Sequence, residues 1–309
     1  MSYSKLNPTY QNYIDQHEAF LRDRNLAPKT ICSYKTYMVP FMHFAQNHSL
    51  LPEDMSPKLI RAFLRDLQRD RDLSDRSINH AISQIKDFYR YILHIELSTY
   101  DIPFRKFNMP LPYVPKKDVI KLLLDSLYEK KAYQAYTACC IMYSTGMRIN
   151  EVCHLKCKDI CYSKPLQNGE HPYILVRSTK NRTDRKVPLT KTLYAIIVNY
   201  WISIPRNMRQ NKWLFTQRRN PSNPMNAGWL QGVLLNTRKE LGISEPLTAH
   251  TLRHAFGTEC FRSGMSLLQL KELMGHKSIH STLLYVHLTD VDMIKTPHLL
   301  DSLFSNEGR

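Results

Sequence analysis

The sequence predicts a mainly α-helical protein with one small β-sheet, α+β in class, in which a helical N-terminal domain precedes a larger second domain. Three observations predict it. Apolar residues recur at helical spacing along most of the chain. One β-rich pair of segments, "YILVRS" and "RKVPL", is separated by the turn-forming "TKNRTD". A stretch with four prolines, "STYDIPFRKFNMPLPYVP", interrupts the helical pattern. At 309 residues the chain suits two domains, each large enough for its own core.

Each element follows from its residues. Tyr13, His17, Phe20 and Leu21 fall on one helical face, and Ile31, Tyr34, Met38 and Met42 on another, where Pro40 is expected to kink the helix. "SPKLIRAFLRDLQRD" is a third helix, with Ser56 able to cap it and Pro57 suited to its first position. A fourth carries Ile78, Ile82, Ile85 and Tyr89 on its apolar side. Four such helices make a small bundle over residues 1–98, and residues 99–115 read as an interdomain linker. The second domain, 116–290, opens with the helical "KDVIKLLLDSL". The β-rich pair forms a hairpin or a short three-stranded sheet with Lys180 near its turn, and "KWLF" is a candidate further strand. Helices follow over residues 190–203, 226–241, 248–263, 266–274 and 278–288, ahead of a tail, 291–309, with an apolar stretch at Leu299, Leu300, Leu303 and Phe304.

Composition narrows the function. The formal net charge is +16, and it is unevenly spread: residues 1–110 carry 15 basic and 12 acidic side chains, residues 111–309 carry 28 and 15. Between Arg177 and Arg219 eleven basic residues face one acidic residue, Asp184. So one-sided a field repels itself unless a polyanion neutralises it, and nucleic acid is the obvious partner. No apolar run reaches the roughly 20 residues of a membrane helix. The N-terminus lacks the apolar core of a signal peptide, so a cytoplasmic location is expected. The seven cysteines form no disulfide framework and read as reduced thiols. Cys153, His154, Cys157 and Cys161 are metal-capable and close in sequence, but their spacing is not the paired CxxC of a zinc site, so no metal is expected there.

Four short segments share one chemical theme. "STGMRINEV" presents Arg148 after a glycine turn at a helix start. "STKNRTDRKVPL" presents Lys180. "AHTLRHAF" places His250 and Arg253 three apart on a helix, and so on one face. "LMGHKSIHSTLLYVH" sets His276 nine residues ahead of Tyr285. Attack on a phosphodiester builds a transition state of about two negative charges, which fixed cations bind more tightly than the ground state. Two guanidiniums offer planar forks that never lose their charge. A tyrosine can attack, but with a pKa of about 10 it needs cations or a base to help remove its proton. A lysine can protonate the leaving oxygen, and histidines can hold phosphate oxygens or relay a proton. Each segment alone has an ordinary reading: a surface arginine, a turn lysine, a solvated helix face, a core tyrosine. Their order and company carry the signal.

The chain resembles the tyrosine recombinase, or phage integrase, family. "TGMRINEVCHLKCKDI" is similar to the family's first box, "LTAHTLRHAFGT" to its second and "ELMGHKSIHSTLLYVHL" to its third, with the same nine-residue step. "TKNRTDRKVPL" resembles the family's lysine hairpin, with Thr179 in place of a glycine, and Cys157 stands where the family often has tryptophan. The resemblance implies a helical core-binding domain that clamps DNA, followed by a catalytic domain. It implies Tyr285 as the nucleophile of a 3′-phosphotyrosyl intermediate, Arg148 and Arg253 as phosphate clamps, Lys180 as general acid, His250 and His276 completing the pocket, and Glu151 supporting Arg148. It further implies double-stranded DNA with short inverted-repeat core sites as partner, a homotetramer on two sites, and chemistry without ATP or metal. By the resemblance the tail would pack on a neighbouring subunit; the alternative reading is that it closes its own domain. No GxxxxGKS/T loop and no HExxH occurs. The expected role is the integrase or transposase of a mobile element. The alternatives are an Xer-like recombinase that resolves chromosome or plasmid dimers, a DNA invertase, a type IB topoisomerase, or a non-enzymatic DNA-binding relative.

Overall fold

Four helices build the first unit of the chain: α1 (Pro8–Asp23), α2 (Pro28–Asn47), α3 (Pro57–Arg71) and α4 (Asp75–Phe88), the last running into one π-helical turn, Tyr89–Leu93. The computed structural model describes residues 5–108, 111–162, 172–177, 184–206, 209 and 211–288. Its contacts divide the chain into two units, Met1–Met109 and Pro110–Arg309. Lys180 and the tail from residue 289 lie outside the described residues.

Helix starts in the first unit follow sequence chemistry. Proline opens α1, α2 and α3, where its missing N–H costs nothing. Asn7 accepts from the Thr9 N–H at 3.2 Å, and Ser56 from the Leu59 N–H at 3.4 Å. The apolar faces converge on a core that holds Phe41, Ile60, Ile78, Ile85 and Phe88 wholly buried. Helix α2 continues through Pro40. A proline within a helix strips the carbonyl four residues back of its partner, and Arg71 of α3 donates Nη1 to that carbonyl, Thr36 O, at 3.2 Å. His17 is buried between the edges of Tyr34 and Phe88, and its Nε2 finds no partner among the described residues. Burial pulls its pKa down to about 4. The proline-rich stretch begins as part of this unit. Ile102 is buried in the core, and the Asn79 side chain donates to Arg105 O at 2.9 Å and accepts from Arg105 N at 2.8 Å.

In the second unit come α5 (Lys117–Glu129), α6 (Tyr133–Thr145), α7 (Ile149–Cys153), strands β1 (Ile160–Cys161), β2 (Tyr173–Val176) and β3 (Arg185–Pro188), then α8 (Lys191–Ser203), α9 (Ala227–Glu240), α10 (Ala249–Arg262), α11 (Leu267–Met274) and α12 (His280–Leu288). Helix α6 is the central strut. Ala135, Ala138, Cys139, Cys140, Ile141 and Met142 bury it nearly all round, against α5, α8 and α10. Such a helix has no polar face for periodicity to reveal. The sheet is antiparallel in the order β1-β2-β3. "KWLF" contributes a single bridge, Lys156 to Trp213, rather than a strand, because Cys157–Asp159 turns at once into a 3₁₀ helix. Cys139, Cys140 and Cys153 are core residues, and among the described residues no three His, Cys, Asp or Glu gather into a metal site. Among them, too, no helix is long and apolar enough to cross a membrane.

One register detail positions the site. In β2–β3, Ile174 pairs with Val187 and Val176 with Arg185. Directly opposed residues share a face. The buried Ile174, Val176 and Val187 therefore carry Arg185 to the inner face of the sheet.

Candidate active site

The site forms where α11 ends. Gly275 caps that helix in the left-handed conformation, φ 62°, and its N–H and that of His276 donate to the Glu272 and Lys271 carbonyls at 3.0 and 2.9 Å. The next three carbonyls, those of Leu273, Met274 and Gly275, each accept from a different guanidinium. Arg185 Nε reaches Leu273 O at 2.8 Å, Arg253 Nη2 reaches Met274 O at 2.7 Å, and Arg148 Nη2 reaches Gly275 O at 2.8 Å. The C-terminal end of a helix is its negative pole and leaves carbonyls unpaired, so three cations satisfy both needs. A side chain at Gly275 would meet Arg185 Nη1 at 2.9 Å as well as the positive φ, so glycine is needed there on both counts.

Each guanidinium has a second anchor. Arg148 sits at the N-cap of α7, where Glu151 accepts from its backbone N–H at 2.7 Å and from its Nη1 at 3.0 Å. Arg185 grips the same carboxylate with a fork, Nη1 to Oε1 at 3.0 Å and Nη2 to Oε2 at 2.8 Å. Arg253, 5 % exposed, also donates Nη1 to Gly146 O. Burial alone would raise the Glu151 pKa, but the hydrogen bonds and charge of Arg185, then those of Arg148, hold it down at about 2. Burial, and next the Arg148 charge, pull Arg253 down to about 9, so it stays cationic at neutral pH. Three arginines against one glutamate leave the cluster with two formal positive charges.

Helix α10 supplies the opposite wall. His250 and Arg253 lie on it as their three-residue spacing implies, and His254 joins them, its ring 6.5 Å from that of His250. Partial desolvation, then Arg253 and Arg148, lower the His250 pKa. On α12, Tyr285 is 1 % exposed, with its ring parallel to that of His276 (3°, centroids 6.3 Å) and 6.1 Å from that of His254. It packs against the α10 backbone at Gly257, where a Cβ would stand 2.4 Å from its Cζ and 2.9 Å from its Oη. Burial raises the Tyr285 pKa to about 12, against the downward pull of Arg253 and Arg148. His276 is anchored through Nδ1 to the buried Thr282 Oγ1 at 2.9 Å, and burial, followed by Arg253 and the other arginines, lowers its pKa to about 3. It is a neutral imidazole.

Of the residues singled out in the sequence, Arg148, Glu151, His250, Arg253, His276 and Tyr285 come together here, and Lys180 lies outside the described residues. Sequence reasoning passed over Arg185, His254, Thr282 and Gly257. Arg185 had a readable signal, an arginine at an inward-facing strand position, opposite a residue of the apolar alternation in "YILV". The α11 carbonyls had none, since a main-chain acceptor leaves no mark on composition.

Comparisons with known proteins identify the family. Residues 113–291 match the phage integrase family and residues 13–99 the N-terminal SAM-like domain of phage integrases. The chain is 27 % identical over 282 residues to tyrosine recombinase XerD of Listeria innocua, covering 86 % of this chain and 90 % of that one. The site-specific recombinase XerH, solved bound to a palindromic difH substrate, matches with a TM-score of 0.70 at 19 % identity over 99 % of this chain and 91 % of XerH. The Tn1549 transposon integrase, solved with transposon right-end DNA, matches with a TM-score of 0.66 at 20 % identity over 89 % of this chain and 93 % of that one. The structural likenesses establish the fold, a helical N-terminal domain ahead of a recombinase catalytic domain. With a family model spanning more than half of its length, the chain belongs to the phage integrase family and is a tyrosine recombinase.

Proposed function

We propose that the chain is a site-specific DNA recombinase in which Tyr285 attacks the scissile phosphate, forms a 3′-phosphotyrosyl bond and releases a 5′-hydroxyl. The observation that supports this best is the α11 terminus, where three successive carbonyls hold the guanidiniums of Arg148, Arg185 and Arg253 beside a buried tyrosine. Arg148 and Arg253 bind the non-bridging oxygens, and their two charges answer the two that develop in the transition state. Tyr285 keeps its proton until DNA arrives, because burial holds its pKa near 12. His250 can accept that proton, and the neutral His276 can hold a phosphate oxygen. Lys180, on the segment between β2 and β3, protonates the leaving 5′ oxygen. The phosphotyrosyl bond conserves the energy of the broken linkage, so rejoining requires neither ATP nor metal.

The partner is double-stranded DNA bearing short inverted-repeat core sites, held by a homotetramer on two sites in the cytoplasm. The biological role we assign is the integrase or transposase of a mobile element, supported by the likeness in fold to the Tn1549 integrase. Resolution of chromosome or plasmid dimers is the second reading, favoured by the chain-long similarity to XerD.

Covalent trapping tests the reaction. Nicked duplexes tiled across the DNA flanking the gene, and across the host chromosome's dimer-resolution region, are incubated with protein in the absence of metal and ATP. A denaturation-resistant adduct at one short site is expected. A site at the boundary of the surrounding element supports the integrase role, and a chromosomal site supports dimer resolution. Adducts at every nick indicate a topoisomerase-like activity, and no adduct on any duplex overturns the recombinase reading.

A further inference from the structure

The two arginines expected to face the phosphate share their cluster with a third that no phosphate chemistry requires. Arg185 is only 13 % exposed at its side chain, and all three of its donor nitrogens are committed: two to Glu151 and one to Leu273 O. Its fork is turned onto Glu151, so the charge it brings acts first on that carboxylate. Glu151 also binds Arg148 through both backbone and side chain.

Charge explains why the third arginine is there. Glu151 fixes the α7 start and the Arg148 side chain, but as a carboxylate it also neutralises one guanidinium. With only Arg148 and Arg253 beside it, the cluster would carry one net positive charge against about two on the transition state. We infer that Arg185 is a positioning residue that offsets the charge of Glu151, leaving the full charge of Arg148 for the phosphate, while its bond to Leu273 O ties β3 to the end of α11. This inference rests on the phosphoryl-transfer reading above. It adds that the glutamate and the third arginine act as one unit, so that loss of the first should repair loss of the second.

The experiment is single-turnover formation of the Tyr285 adduct on a nicked duplex that the wild-type protein already cleaves, so a failed recombinase reading shows itself in the wild type before any variant is compared. Arg185→Met is expected to slow adduct formation by about 10–100-fold, the scale known for outer-shell partners that orient metal ligands, with DNA affinity and melting temperature near those of the wild type. Glu151→Gln alone is also expected to be slow, because Arg148 loses its anchor. The double variant Arg185→Met/Glu151→Gln is expected to be at least about fivefold faster than Arg185→Met, a reversal that independent structural supports do not give. Arg185→Lys keeps the charge but not the fork, should fall between wild type and Arg185→Met, and carries the test if the methionine variant fails to fold. Titration of the Glu151 carboxyl by carbon NMR needs no DNA, and its midpoint should rise in Arg185→Met. The inference is overturned if Arg185→Met, or Arg185→Lys in its place, cleaves within twofold of wild type, if Glu151→Gln slows the Arg185 variant further, or if the Glu151 midpoint is unmoved.

Discussion

The N-terminal core and the site in the second unit bury opposite things. The N-terminal helices bury rings and branched aliphatics, Phe41, Phe88, Ile60 and Ile78 among them, and leave nearly all their charges in solvent. Around the end of α11 the second unit buries Arg253, covers Glu151 and sets a neutral tyrosine and histidine against them. Apolar burial is bought wholesale and tolerates substitution within limits of volume. A buried charge persists only when every donor and acceptor is placed. The first unit should therefore fail by degrees of stability. The site should fail by loss of chemistry.

The largest effect expected is on that chemistry. Tyr285→Phe removes one oxygen and should leave no covalent adduct above background, while the melting temperature changes little. Next comes the N-terminal core. Phe41→Ala, at a wholly buried position between Phe63 and Tyr89, should cost about 3–5 kcal/mol in denaturant unfolding. A cost near zero would break the contrast from that side. Gly257→Ala sharpens it from the other. The new methyl cannot coexist with Tyr285 where it now stands, so adduct formation should fall about 10²-fold while the protein still folds and binds DNA.

The smallest effects are on pH dependence, and they separate the units by window. His17 is held neutral, its pKa lowered from 6.5 to about 4, so the unfolded chain takes up its proton first on acidification. That contribution is whole above pH 6.5 and is lost as the pH falls towards 4. Glu151 is lowered from 4.5 to about 2, so its contribution is whole above pH 4.5 and is lost only as the pH falls towards 2. His17→Leu should remove the first window. Between pH 7 and pH 5 the variant should lose about 1–2 kcal/mol less than wild type in urea unfolding. Equal losses would show that His17 does not titrate as its burial implies.

The same contrast governs what the sequence made legible. The four N-terminal helices, with their Ser56–Pro57 start and apolar faces, were readable because their burial is periodic. Helix α6 was not, since it is apolar on every side. Arg148, His250, Arg253, His276 and Tyr285 were legible as motif residues, and their convergence agrees with the spacing that marked them. Arg185 was legible only through its inward-facing strand position, and "KWLF" looked like a strand because β propensity says nothing about whether a neighbour continues alongside. The metal-capable Cys153 lies in the apolar core and Cys157 packs against it. The carbonyls that hold the three arginines were beyond any reading of side chains.

The central claim is that one tyrosine of eighteen is the nucleophile. Proteolysis of a trapped adduct, followed by mass spectrometry of the peptide that keeps the nucleotide, tests it directly. The account predicts a single modified peptide, from α12, with the nucleotide on Tyr285. A nucleotide on any other tyrosine, such as Tyr143 or Tyr194, or on a serine, would contradict it.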